Sequence, residues 1–140
     1  MIVIAIIGIL MAIAVTGFTA AMRSANETAA ISTLKAIATD QGLYFNGHQR
    51  NAFGTFDEML KFGLLNSKFA GTSPVVSGYI FTMRVIPKSA TEPPGYVINA
   101  DPQQADGVGA TGKNHYYVDN NTNTIHVNNT QPATVNDPPI

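Results

Sequence analysis

The chain opens with 22 residues that carry no charge, and its first charged side chain is Arg23. Met1 to Val15 read MIVIAIIGILMAIAV, all apolar or glycine, and Thr16 to Met22 extend the uncharged run. As a helix rising ~1.5 Å per residue, such a run covers about 33 Å, enough to cross a hydrocarbon core of about 30 Å. A segment apolar on every side aggregates in water unless something covers it. It therefore belongs in a membrane, inside a large assembly, or in each in turn. Three readings meet that constraint. A cleaved secretory signal needs a positive n-region, which nothing before Ile2 supplies, although Ala12-Ile13-Ala14 offers an A-x-A-like exit. A plain single-span anchor needs only length and apolarity. An anchor that is also a polymerisation helix needs a helical pattern that continues past the span.

The pattern does continue. Phe18, Met22, Ala25, Ala29, Ile31, Leu34, Ile37, Ala38, Gln41, Tyr44 and Phe45 recur mostly at steps of three and four, which is one apolar helix stripe. Arg23, Glu27, Lys35 and Asp40 fall between these positions and read mostly as the opposite, solvated face. No proline precedes Pro74, so Ile2 to about Phe45 reads as one helix roughly 65 Å long. Asn46-Gly47 supplies the stop, because both residues tolerate the left-handed conformation that ends helices. The first half is to be covered by lipid or other chains, and the second half is to pack on its own domain.

The remaining chain is organised differently. Residues 46–77 read as a linker with one short helix, in which Thr55-Phe56-Asp57-Glu58 has the form of a capping box. Gly78 to Ile86 is aromatic and β-branched and reads as a strand, with Tyr79, Phe81, Met83 and Val85 on one face. Tyr96 to Ala100 reads as a second strand, Asn114 to Asp119 as a third and Thr124 to Asn128 as a fourth. The turn-forming Asp119-Asn120-Asn121-Thr122-Asn123 makes the last two a hairpin. A helix followed by a run of strands predicts an α+β fold, with an antiparallel sheet of about four strands on the helix's second half. Ile31, Leu34, Ile37, Tyr44, Tyr79 and Phe81 are the expected helix-to-sheet contacts. Residues 1–22 are then the membrane or assembly segment and 23–140 the head, with the sheet over 78–128. The proline-rich 129–140 reads as an extended surface tail, ordered only if it packs on the head.

Composition narrows the function. Charged residues make up 12% of the chain, about half the ~25% usual for soluble domains. A net charge of −1 supplies no basic excess for bulk nucleic-acid binding. The absence of cysteine excludes a disulfide scaffold, a CxxC redox centre and a thiolate zinc site.

The segment IVIAIIGILMAIAVTGF resembles the hydrophobic start of bacterial type IV pilins and the related type II secretion pseudopilins. The continuation through Ala30, Leu34, Ile37, Gln41 and Tyr44 is similar to that family's long helix. GYIFTM, YVINADP and the GKNHYYVD…TIHV hairpin look like the sheet of small pilin heads. The resemblance implies a structural subunit of a helical homopolymer, with no enzymatic activity and no cofactor. It places Ile2, Val3, Ile4, Ile6, Ile7, Gly8, Ile9, Leu10, Ile13, Val15, Gly17 and Phe18 in the filament core. It also implies partners: identical subunits, the inner membrane before assembly, a prepilin peptidase and the pilus assembly machinery. The mature family start, an N-methylated aromatic residue followed by a docking glutamate, would lie about six residues before Met1. Many pilins carry a proline where this chain has Thr16-Gly17. Gly8 and Gly17 could bracket a stretch that loosens in filaments, since glycine weakens a helix by about 1 kcal/mol relative to alanine. The commonest major pseudopilins carry a tryptophan-containing segment, and this chain has no tryptophan. A pilus pilin is therefore favoured over a pseudopilin. A membrane-anchored periplasmic binding module is the rival from another class.

Motifs that suggest chemistry give way to simpler accounts. Gly107, Gly109 and Gly112 match GxGxxG, and the same stretch nearly matches a phosphate-binding loop, with Asn114 in place of Ser or Thr. Both motifs need a helix N-terminus aimed at phosphate, whereas the residues after Lys113 read as a strand. A flexible loop is the expectation. His115 and His126 flank the hairpin and could approach one another, but no carboxylate motif places a metal between them. His48 stands apart, and Asp101, Asp106, Asp119 and Asp137 match no EF-hand spacing. Three N-x-T sequons begin at Asn26, Asn120 and Asn128. Tyr44, Phe45, Tyr79, Phe81, Tyr116 and Tyr117 sit mostly at core periodicity, so packing accounts for them.

Overall fold

The structure, a computed structural model, describes residues 1–140 except Gln49 and Val108, and describes residues 13–16 by backbone alone. A single helix, α1 (Ile2–Gly47), spans 46 residues, about 69 Å at the ordinary rise. In the isolated chain it runs unbroken through Gly8 and Gly17. Its end falls close to the expected stop but by another route: Asn46 and Gly47 stay helical, the His48 amide donates to the carbonyls of Tyr44 and Phe45, and the left-handed residue is Arg50 at φ 59°.

Behind α1 follow α2 (Phe56–Lys61), a 3₁₀ turn (Ser67–Phe69) and five strands: β1 (Val75–Val76), β2 (Tyr79–Ile86), β3 (Gly95–Pro102), β4 (His115–Asp119) and β5 (His126–Asn128). The strands form one antiparallel meander in the order β1-β2-β3-β4-β5. The fold is α+β with a pilin-like layout. The Thr55–Glu58 capping box forms in full, with each residue bonding the other's backbone N–H.

The sheet has five strands where four were expected. β1 is only two residues long and has no alternation to read. It arises from the tight turn Ser77-Gly78, where both residues take positive φ (51° and 74°) and Val76 meets Tyr79 across the hairpin. β4 and β5 also start later than expected, at His115 and His126. Thr124 instead bonds Thr122 with both its backbone N–H and its hydroxyl, after Asn123 at φ 49°.

The core lies between the second half of α1 and one face of the sheet. Ala30, Leu34, Ile37, Gln41 and Tyr44 are buried at steps of three and four, against Tyr79 and Phe81 of β2, Tyr96 and Ile98 of β3, and Tyr116 and Val118 of β4. Ile31 is half-buried beside them. Each large apolar side chain so covered contributes roughly 1.5–3 kcal/mol. Gln41 is the polar member of this stripe and is fully buried. Its Nε2 donates to the Gly54 carbonyl at 2.6 Å, and its Oε1 accepts from the Gly54 N–H at 3.0 Å. One amide thus satisfies both backbone groups of a buried linker residue. A Cβ at Gly54 would crowd Tyr44 and Met59 at 3.0 Å.

The tail is ordered because it packs. Pro138 accepts from the Val127 N–H, and the Ile140 N–H donates to the Ile125 carbonyl. Ala133 is buried, and its carbonyl accepts from Asn99 Nδ2. Pro138 and Pro139 have no N–H to offer, so the ladder stops at this edge instead of inviting another strand.

Asp119 ties the β4–β5 turn. Its carboxylate accepts from the Thr122 N–H and hydroxyl, the Tyr117 hydroxyl and the Asn121 N–H. Burial pushes this carboxyl up, but those four hydrogen bonds outweigh it and hold the group below the ordinary range. A depressed carboxyl stabilises fully above its unfolded value and loses that effect as pH falls. Amide protection at Thr122 should therefore be constant above about pH 5 and fall away below about pH 4. Hydrogen exchange across that range should show the acid limb flattened in Asp119→Asn. For the core, Gln41→Leu strands two buried backbone groups, each costing about 1–3 kcal/mol. Denaturant unfolding in mild detergent should register a loss of that order for Gln41→Leu; an unchanged midpoint would refute the assigned role.

Candidate functional site: an uncovered apolar half-helix and its polar collar

The apolar side chains described in the first half of α1 are left uncovered by the head. Ile2, Val3, Ile4, Ile6, Ile7, Ile9 and Leu10 are all exposed, the least so Ile7 at 50%, and Phe18 is 67% exposed. An added Cβ at Gly8 or Gly17 would meet no atom within 4 Å. The side chains of Ile13 and Val15 lie outside the described residues. This is one helix long and apolar enough to cross a membrane, with a best window of mean hydropathy 2.6 that has none of its residues buried. Leu34, Ile37, Tyr44, Tyr79 and Phe81, from the other expected set, lie in the core.

Between the two halves of α1 sits a feature that the sequence pattern misassigns. Arg23 and Glu27 are half-buried instead of fully solvated. They bind the glycine-rich loop between β3 and β4. Arg23 Nη2 donates to the Gly107 carbonyl at 2.8 Å and Nε to the Ala110 carbonyl at 3.3 Å. Asn26 Nδ2 donates to the Thr111 carbonyl at 2.9 Å. The Glu27 carboxylate accepts from the Lys113 N–H at 2.9 Å, the Asn114 N–H at 3.3 Å and Asn114 Nδ2 at 3.1 Å. About one turn of helix thus holds the loop, mostly by side chain to backbone.

The loop needs its glycines for this approach. Gly107 and Gly109 take φ of 86° and 90°, a region open to glycine without strain. A Cβ at Gly112 would fall 2.1 Å from the Tyr79 hydroxyl, which donates to the Asn114 carbonyl. So the GxGxxG glycines serve a docked loop, not a free one. Val108 between them lies outside the described residues. The signal was present in part: Arg23, Asn26 and Glu27 are the first long polar residues after the apolar run. Their partners, however, lie 84 or more positions away and are backbone atoms, which no residue pattern marks.

The other candidate groups are drawn apart. His115 Nδ1 sits 2.6 Å from Asp101 Oδ1, whereas His126 Nδ1 donates to the Asp137 carbonyl at 2.6 Å. They share the outer sheet face but not a partner. Among the described residues no three His, Asp or Glu side chains converge on a metal-sized site. Tyr117 also lies on that outer face, outside the core, and its hydroxyl is pushed up to about 12 by burial first and by Asp119 next. The sequon asparagines are engaged: the side-chain nitrogens of Asn26, Asn120 and Asn128 donate to Thr111, Asn121 and Asp137.

No family model matches the chain, and neither does any curated protein or solved structure.

The collar makes a local prediction. A hydrogen bond to a charged group contributes about 1.5–3 kcal/mol. In Glu27→Ala the amides of Lys113 and Asn114 should exchange about ten- to a hundredfold faster, while Ile98 in β3 keeps its rate. Equal acceleration at all three sites would mean global destabilisation instead of release of the loop.

Proposed function

We propose that the chain is a structural subunit of a type IV pilus-like filament, assembled through its apolar N-terminal half-helix. The observation that carries this reading is the division of one helix. Its second half is committed to the chain's own sheet, and its first half is committed to nothing in the chain. A plain anchor needs no such continuity with the core. In a filament, continuity passes load from the bundle of half-helices directly into each head.

Before assembly the half-helix lies in the inner membrane with the head in the periplasm, and after assembly the filament stands outside the cell. Moving the segment from lipid into a bundle exchanges one apolar environment for another. Hydrophobic transfer then nearly cancels and packing decides the outcome. A near-balanced step suits a polymer driven in both directions by an assembly machinery. The prepilin peptidase and that machinery enter through the resemblance of IVIAIIGILMAIAVTGF to the pilin start. The role is structural rather than catalytic.

Electron microscopy of filaments sheared from cells producing the protein tests the reading. Filaments that react with antibody to the head support it. A protein that stays monomeric in the membrane under all conditions overturns it and leaves a plain anchor. Ile7→Asp puts a charge where the bundle is apolar, an insertion cost of about 2.5–3.5 kcal/mol at the centre of a span. That variant should yield no filaments, whereas Ile7→Ala should still assemble.

A further inference from the structure

The polar collar stands at a defined height on α1. Arg23 ends the uncharged run. If residues 2–22 fill the hydrocarbon, the turn from Arg23 to Glu27 emerges into the headgroup layer, a few ångströms thick on each side of a core of about 30 Å. The β3–β4 loop is fastened to that same turn by Arg23, Asn26 and Glu27. It cannot rise away from the membrane without breaking those bonds.

The sheet register brings other segments to this end of the head. Tyr79 pairs with Pro102, which places the Ser77-Gly78 turn beside the loop. His115 pairs with Asn128, which places Asn129 and Thr130 there as well. All four of Ser77, Asn129, Thr130 and Gln131 are exposed and uncharged. At this end of the head Arg23 and Lys113 stand against Glu27 and Asp106, and two further carboxylates lie close by, Asp101 beside His115 and Asp137 bonded to Asn128, so carboxylates outnumber Lys and Arg. The opposite end, near the α1 terminus about 36 Å further along the helix, carries Arg50, Lys61 and Lys88 together with Asp57, Glu58 and Glu92.

From this arrangement we infer that the β3–β4 loop is the membrane-contact surface of the head, seated in the phospholipid headgroup layer while the subunit is stored in the bilayer. The inference rests on the membrane-spanning part of the proposed function. The surface is rich in hydrogen-bonding groups and carries no excess of Lys or Arg, so it suits a zwitterionic headgroup layer. It lacks the basic cluster that anionic lipid would reward. The collar bonds hold the loop at that depth, and Arg23 is the positioning residue, because its guanidinium joins the end of the span to the loop backbone.

The chain has no tryptophan, so a single introduced indole reports its own depth without background. The full chain is reconstituted in phosphatidylcholine vesicles that carry a nitroxide either on the headgroup or deep on the acyl chain. Four variants are compared: Leu10→Trp in the span, Lys113→Trp and Asp106→Trp on the loop, and Phe62→Trp near the far end. Lys113 and Asp106 are exposed, so either substitution leaves the core intact. The expected result is loss of Leu10→Trp emission with the deep probe, loss of both loop signals with the headgroup probe, and no loss at Phe62→Trp with either. Adding Arg23→Ala and Glu27→Ala to Lys113→Trp should restore much of the loop emission. Adding phosphatidylglycerol to the vesicles should leave the pattern unchanged. Quenching at Leu10→Trp without quenching on the loop would overturn the inference while leaving the span in place. Absence of deep quenching at Leu10→Trp would overturn the membrane reading and the inference with it.

Discussion

Everything in this molecule hangs on the contact between the second half of α1 and the inner face of the sheet. Leu34 and Ile37 meet β-strand side chains that are themselves buried only because the helix lies over them, such as Phe81, Ile98 and Val118. A meander of five short strands has two large faces and little independent stability. Covering one face with a helix stripe supplies the core, and the C-terminal tail covers part of the other. The tail in turn needs the sheet, since its carbonyls and Ala133 find their partners on β3 and β5. The helix is therefore the organising element, and the first half of the same helix must project from the head as a continuation of its axis.

That projection creates a boundary problem, and the collar resolves it. Where a helix leaves a packed core, the last turns are exposed to fraying of whatever covers them. Here the covering element is a loop with glycines at positive φ and little apolar surface of its own. Side chains of α1 hold its backbone instead, through one guanidinium, one amide and one carboxylate. Charged partners suit the task because hydrogen bonds to them are about twice as strong as neutral ones. The same logic recurs at the far end, where the Gln41 amide holds Gly54. Polar side chains of α1 thus fasten both ends of the head, and apolar ones fill the middle.

This division explains what was legible in the sequence. Periodicity gave the approximate length of α1, the buried face of β2 and the α+β order, because these follow from which residues avoid water. The capping box at Thr55–Glu58 was legible because its chemistry is local. The collar was not legible, since Arg23 and Glu27 bond backbone atoms far away in the chain, and a solvated charge has the same sequence signature. Gln41 sat correctly on the stripe, but its reason for being an amide lay in Gly54. β1 escaped notice because two residues carry no period. His115 and His126 were rightly placed on one hairpin, yet the sheet gave each a separate partner in Asp101 and Asp137.

The filament reading adds a demand that the free chain does not explain. A long helix with an uncovered apolar half is unstable in water, and among the described residues the head does not fold back over it. Gly8 and Gly17 each forgo about 1 kcal/mol of helix stability relative to alanine, and among the described residues no atom lies within 4 Å of the space they leave. A cost without an internal return points outward, to contacts that form only between subunits. In an apolar environment association rests on close approach of backbones, which small residues permit. On the proposed reading the half-helix is therefore unfinished structure. The head folds around the second half of α1, and the first half waits for lipid and then for copies of itself.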